Sequence, residues 1–177
     1  MAHVILGLLL IRPQSLYDLV KGFEAGVSLF YSASSGSIRR ALETLLGGGL
    51  IEVDGPGARG RKTYRVTDAG RAEFHAWMTG PVTGPDAEAA ALPRLFFLGL
   101  LEPGERAQVL PHLTARIERD VARLEVVEEQ LDAQEVPDEL RDVFTYQRAT
   151  LDYGLASGRF AVDWFRRYAE ERGAPAP

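Results

Sequence analysis

Ser34, Ser35, Gly36, Ser37, Arg39, Arg40 and Thr44 fall within one short stretch, SSGSIRRALET. Hydroxyls and guanidinium groups packed this closely suit a nucleic acid. Arginine bonds guanine O6 and N7 bidentately or grips phosphate. Serine and threonine bond phosphates or base edges, and Gly36 lets a backbone approach closely. A second cluster, Arg59, Arg61 and Lys62, lies in the glycine-flanked run GPGARGRK, with Tyr64 just beyond. Such a loop can follow a groove edge and contact phosphates, while Tyr64 stacks or hydrogen-bonds nearby. Any one of these charges alone is an ordinary solvated residue. Two clusters on neighbouring elements are not so easily dismissed.

The elements that must position them can be read from spacing. Met1–Ile11 is apolar enough for a buried helix and is broken by Arg12-Pro13. Ser15 caps a second helix with Leu16, Leu19, Val20 and Phe23 on one face. Ser34 or Ser35 caps a third, whose buried side is expected to be Ile38, Ala41, Leu42, Leu45 and Leu46. Gly47–Gly49 ends it. LIEVD (50–54) and KTYRVT (62–67) alternate like two strands of a hairpin around a glycine-rich loop. Thr67 or Asp68 caps a further helix to about Met78. Three helices, a hairpin and a helix make the winged helix-turn-helix pattern, with the two basic clusters on the parts it turns toward DNA.

Charge supports that division. The chain of 177 residues carries a net charge of −5. Residues 1–80 hold nine basic and seven acidic side chains, or +2, and the rest holds eleven and eighteen, or −7. The total alone would argue against nucleic acid; the distribution does not. There are no cysteines, which excludes disulfides and thiolate metal sites and suits a cytoplasmic protein. The apolar run Val4–Ile11 is far too short to span a bilayer. His3, His75 and His112 show no metal spacing, GGG is followed by no G-K-[ST], and Ser35-Gly36-Ser37 is no nucleophile elbow. No catalytic site, metal or cofactor is expected.

The segment 81–86 reads as a linker. Beyond it, 87–172 is expected to be a helical dimerisation domain with an effector site, and 173–177 a flexible tail. The whole chain is thus mainly α with a small β-hairpin. Ala87–Gly99 is the first helix of the second half, and Pro103 starts another that should be kinked or interrupted near Pro111. There Leu110, Ile117, Leu124 and Leu131 recur every seven residues with Leu113 and Val127 between, and Asp120 breaks the seam. The last helix, about Asp138–Glu171, carries Leu140, Phe144, Leu151, Leu155, Val162 and Phe165 as a stripe. Gly154 and Gly158 allow either close helix approach or a cavity. The late aromatics, Phe144, Tyr146, Tyr153, Phe160, Trp164, Phe165 and Tyr168, are expected mostly in the core. A flat aromatic effector has Trp77 or Trp164, with Phe96, as candidate stacking partners. Burying these stripes calls for a homodimer, and a two-fold dimer calls for a palindromic duplex operator.

The first 80 residues resemble the PadR-like transcriptional regulators. The resemblance is carried by ILGLL (5–9) with Pro13, Tyr17-Asp18-Leu19, the S-x-G-x-I of Ser34, Gly36 and Ile38, Leu42 and Leu45, GLI (49–51), GRKTYRVTDAG (60–70) and Trp77. Tyr17, within the second-helix motif, joins the candidate DNA contacts. LFFLGLL (95–101) extends the likeness more weakly. Leu16 stands where such proteins usually have glycine, and Arg39-Arg40 where they usually have tyrosine-proline, which bears on operator sequence rather than fold. The resemblance implies a homodimeric repressor that leaves DNA on a small-molecule or other signal. A winged helix used only to bind an acidic protein partner is the alternative.

Overall fold

The computed structural model describes residues 1–56, 62–84 and 86–173. Arg59 and Arg61 lie outside the described residues, as does most of the expected tail. In chain order the elements are α1 (Ala2–Ile11), β1 (Gln14–Ser15), α2 (Leu16–Ala25), α3 (Ser35–Gly47), β2 (Ile51–Pro56), β3 (Lys62–Val66), α4 (Asp68–Thr79), α5 (Ala87–Phe96), α6 (Pro103–Asp132) and α7 (Arg141–Gly173). Contacts divide them into two units, one of residues 1–81 with 91–106, the other of 82–90 with 107–177.

In the first unit, α1 is apolar on all sides and buries Val4, Ile5, Leu6, Leu8 and Leu9. At its end the buried Gln14 donates from Nε2 to Leu8 O at 2.6 Å, satisfying a carbonyl that the helix leaves open. Gln14 and Ser15 also form a strand that sequence spacing did not suggest. The sheet is antiparallel in the order β1-β3-β2. Two residues are too few to show an alternation. Ser15 then caps α2 through a reciprocal box: its Oγ accepts from Asp18 N, and Asp18 Oδ2 accepts from Ser15 N at 3.0 Å. Between α2 and α3 the connection includes a short 3-10 turn, Val27–Leu29, that buries Val27.

The exit from α3 fixes the wing. Gly49 takes φ +68, a left-handed geometry that costs other residues strain. Leu50 N then bonds Leu45 O at 3.0 Å. Thr67 closes the junction. Its Oγ1 donates to Gly49 O at 2.7 Å and accepts from Gly70 N, while its own N donates to Leu50 O at 3.1 Å. Gly70 sits so close that a Cβ there would lie 2.0 Å from Leu50 O and 2.7 Å from Val66 Cγ1. Ile38, Leu42 and Leu45 are buried as expected, but Leu46 is 38% exposed. The buried stripe of α3 is narrower than the sequence suggested.

Residues 91–106, assigned by spacing to the second domain, pack with the first unit. Phe97 is buried against Gly7, where a Cβ would meet its ring at 2.7 Å. Arg94, also buried, donates to Trp77 O and Pro81 O, each at 3.1 Å. Burial lowers its pKa.

In the second unit α6 runs as one helix through Pro111, with no interruption. Leu110, Leu113, Ile117 and Val121 are buried, whereas Val127 is exposed, so the expected seam holds only along the first part of the repeat. Asp120 is no defect in it. Its carboxylate pairs with Arg116 and Arg123 and accepts from Ala87 N at 3.1 Å, while Arg116 reaches Gly84 O. On α7, Leu155, Ala161, Val162 and Phe165 are buried, but Leu140, expected in the same stripe, lies in the 3-10 turn Asp138–Leu140 just before the helix and is 51% exposed. A Cβ at Gly158 would lie 2.7 Å from Val121 Cγ2, and one at Gly154 3.5 Å from Leu124 Cδ1. These glycines let α7 approach α6. Arg148 joins the same pair of helices by binding Glu128, Asp132 and Asp152. Contrary to expectation, Tyr146, Tyr153 and Phe160 lie outside the core at 77%, 76% and 65% exposure.

Two stability measurements follow from these contacts. Gly70→Ala should lose about 3 kcal/mol in urea unfolding, because the obstructing atom is backbone. Gly36→Ala, whose Cβ would meet nothing nearer than Ser34 Oγ at 3.9 Å, should be neutral or gain up to about 1 kcal/mol. Asp120→Leu would stabilise the protein if Asp120 merely interrupted an apolar seam. Because it neutralises Arg116, whose side chain is only 10% exposed, the substitution should instead cost about 2 kcal/mol, read as a lower unfolding midpoint.

Candidate nucleic-acid interface

The N-terminal turn of α3 is built by its cap. Ser34, at φ −79 and ψ 155, accepts at Oγ from Ser37 N at 3.2 Å, and the two hydroxyls lie 2.9 Å apart. Both hydroxyls therefore have local partners. Ser35 and Gly36 are exposed beside them, at the end of the helix where free N–H groups and the dipole favour an anion. Thr44 is exposed but its Oγ1 donates to Arg40 O at 3.0 Å, one turn back.

Arg39 and Arg40 are exposed on α3, and Lys62 is exposed at the start of β3. Among the described residues, no ion pair engages any of the three. The neighbouring strand cation behaves differently. Arg65 binds Glu52 at 2.7 Å and Asp54 at 3.2 Å, both across the β2–β3 ladder. Sequence spacing gave no means of separating Arg65 from Lys62; register does, because Glu52 is the cross-strand partner of Arg65.

Tyr64 occupies the central strand, opposite Gln14 on one side and Val53 on the other. It is half-buried, whereas Tyr17, in the first turn of α2, is 58% exposed. Lys21 Nζ lies 5.9 Å from the Tyr17 ring and pairs with Glu24. Tyr17, Ser35, Arg39, Lys62 and Tyr64 line one groove together, with α2, α3 and β3 as its walls. The fold thus gathers on one face candidates from three separate stretches of chain. Leu46, which sequence periodicity placed in the core, belongs to the same groove.

The candidate effector residues are not gathered in this way. Trp77 stacks on His3 at 4.9 Å with planes 2° apart, and the Arg94 guanidinium lies 4.9 Å from its ring. Phe96 contacts Phe30 and Phe97 and is 45% exposed. Both belong to the first unit. Trp164 belongs to the second, where it stacks on Tyr168 at 5.0 Å. Each ring has internal aromatic partners.

Comparison with known proteins identifies two matching family models. Residues 5–76 match the Transcriptional regulator PadR-like family, and residues 90–171 match Virulence activator alpha C-term. No curated protein matches the chain. Among solved structures it is similar to Bacillus subtilis PadR in complex with operator DNA, at 23% identity over 97% of this chain and 98% of that one, with a TM-score of 0.41. A PadR-like transcriptional regulator from Bacillus cereus is 27% identical over 97% of each chain, with a TM-score of 0.42. The Vibrio cholerae virulence activator AphA is 24% identical over 99% of each, with a TM-score of 0.43. The PadR-like match thus spans α1 to α4, the helices and hairpin that carry the groove, and the second match spans α5 to α7.

Proposed function

We propose that this protein is a homodimeric repressor that grips a palindromic operator through α3 and the β2–β3 wing and lets go when a small molecule or other signal acts on it. The observation that carries the DNA contacts is the lack of ion-pair partners, among the described residues, for Arg39, Arg40 and Lys62. In the second unit Arg116, Arg123, Arg141, Arg148, Arg159 and Arg166 all form ion pairs. Exposed cations without carboxylate partners keep their field for a polyanion. Arg39 and Arg40 reach base edges or phosphates, and Ser35 with the open helix end takes a phosphate. Gly36 has no steric role within the fold, which suits close approach by a strand of DNA. Lys62, with Arg59 and Arg61 of the wing, follows the flanking backbone.

The dimer is supported by α7. Tyr146, Tyr153 and Phe160 are exposed at intervals of seven residues, so they recur on one side of the helix. Three large rings in water at coiled-coil spacing form a face that association would cover. A two-fold pair would direct the two α3 helices toward half-sites about 34 Å apart.

Fluorescence anisotropy with duplexes from the protein's own upstream region tests the contacts. Arg39→Ala/Arg40→Ala should weaken specific binding by about 100-fold while leaving the unfolding midpoint in place. Changing Arg59, Arg61 and Lys62 to alanine should lower the salt slope by up to about three, roughly one for each phosphate contact. Arg65→Ala, which removes a paired cation, should leave the slope nearly unchanged. Wild-type affinity in the double variant would transfer the function to a protein-binding module. Replacing Tyr146, Tyr153 and Phe160 with serine should convert the dimer to monomer in sedimentation equilibrium and reduce operator affinity with it.

A further inference from the structure

The groove between α2, α3 and β3 has a volume of about 750 Å3, within the range that small-molecule sites occupy. Its composition is more than DNA requires. A phosphate chain is held by cations, hydroxyls and backbone N–H groups, and gains little from an aliphatic wall. Here Leu16 and Val20 from α2 face Leu42 and Leu46 from α3 across the same space. Leu46 is 38% exposed on a helix whose other leucines, Leu42 and Leu45, are 3% and 2% exposed. Tyr17 and Tyr64 add aromatic surface to the lining. The charged members are Arg39, Lys62 and Glu43, two cations against one carboxylate, which leaves one positive charge over. None of the three has an ion-pair partner among the described residues.

We propose that this groove binds an amphipathic organic monoanion, with its apolar body on the leucine and valine walls and its carboxylate or sulfonate on Arg39 and Lys62. Rested on the DNA-binding function proposed above, the inference adds a regulatory consequence. The ligand and the operator need the same two cations, so they exclude each other directly. No change of shape has to travel from elsewhere in the protein. Release then follows from competition, with the apparent duplex Kd rising in proportion to ligand concentration once the groove is saturated.

The full chain is titrated calorimetrically with naphthoate, a flat anion, and with decanoate, a flexible one, each beside its neutral alcohol. At least one acid should bind with a Kd below about 1 mM, and its alcohol about tenfold more weakly or worse. Leu46→Asn, a change at an exposed position outside the proposed DNA contacts, should weaken the acid about tenfold and leave duplex affinity nearly unaltered. Val20→Phe, which fills the groove from the other wall, should do the same. Adding the acid should displace a labelled duplex. The proposal is overturned if neither acid binds, if the alcohols bind equally well, if both variants bind like the wild type, or if acid and duplex bind together. A protein that binds duplex but neither acid loses this site and keeps its regulatory function. A protein that binds acid in the variant-sensitive way but ignores every duplex keeps the ligand site and loses the DNA reading.

Discussion

The junction of Gly49, Leu50, Thr67 and Gly70 decides where everything else in the first unit points. A left-handed residue turns the chain out of α3, and a single hydroxyl, Thr67 Oγ1, then joins that turn to the first turn of α4. The Leu50 carbonyl accepts from Thr67 while pressed on Gly70, which has no room for a methyl group. Strand β2 leaves from this point and pairs with β3, which in turn receives β1. Thus the angle between α3 and the wing, on which any shared ligand surface depends, is fixed by backbone groups and one threonine. Side chains facing outward are left free of structural duty there.

Much of this was legible in the sequence, because capping and turning are local events. Ser15 announced one helix start, and the pairs Ser34-Ser35 and Thr67-Asp68 announced two more to within a residue, the caps being Ser34 and Thr67; the glycine run announced the turn after α3. What was illegible depended on partners far away along the chain. Asp120 looked like a flaw in a heptad because the backbone N–H it serves belongs to Ala87, 33 residues earlier. Residues 91–106 looked like part of the second domain because nothing local reveals that Phe97 fills the space beside Gly7. Leu46 fits a helical stripe by spacing, yet the stripe on α3 is only wide enough for Ile38, Leu42 and Leu45. For the site itself, residue types identified the basic clusters, but only strand register distinguished an engaged Arg65 from an unengaged Lys62.

The long helices of the second unit and the exposed face of α3 handle charge differently. In the second unit those helices are laced by arginine–carboxylate pairs, with Arg148 serving three acids and Asp120 two arginines. Exposed pairs of this kind contribute little to stability one at a time. Those that are partly buried, as at Arg116, matter more through the penalty of leaving a charge alone. On α3 the guanidinium groups of Arg39 and Arg40 face water and, among the described residues, form no ion pair, although Glu43 lies one turn along. An acidic chain can therefore present a locally positive face, which a net charge of −5 would conceal.

If the exposed rings along α7 pair two copies, as proposed, the pairing has a quantitative consequence for a cell. When two copies must meet before either can hold its target well, the amount of working protein rises faster than the amount made. At low abundance, halving synthesis would cut the amount of paired protein to about a quarter. Three aromatic side chains left outside a core would thereby turn a gradual change in expression into a sharper change at the promoter.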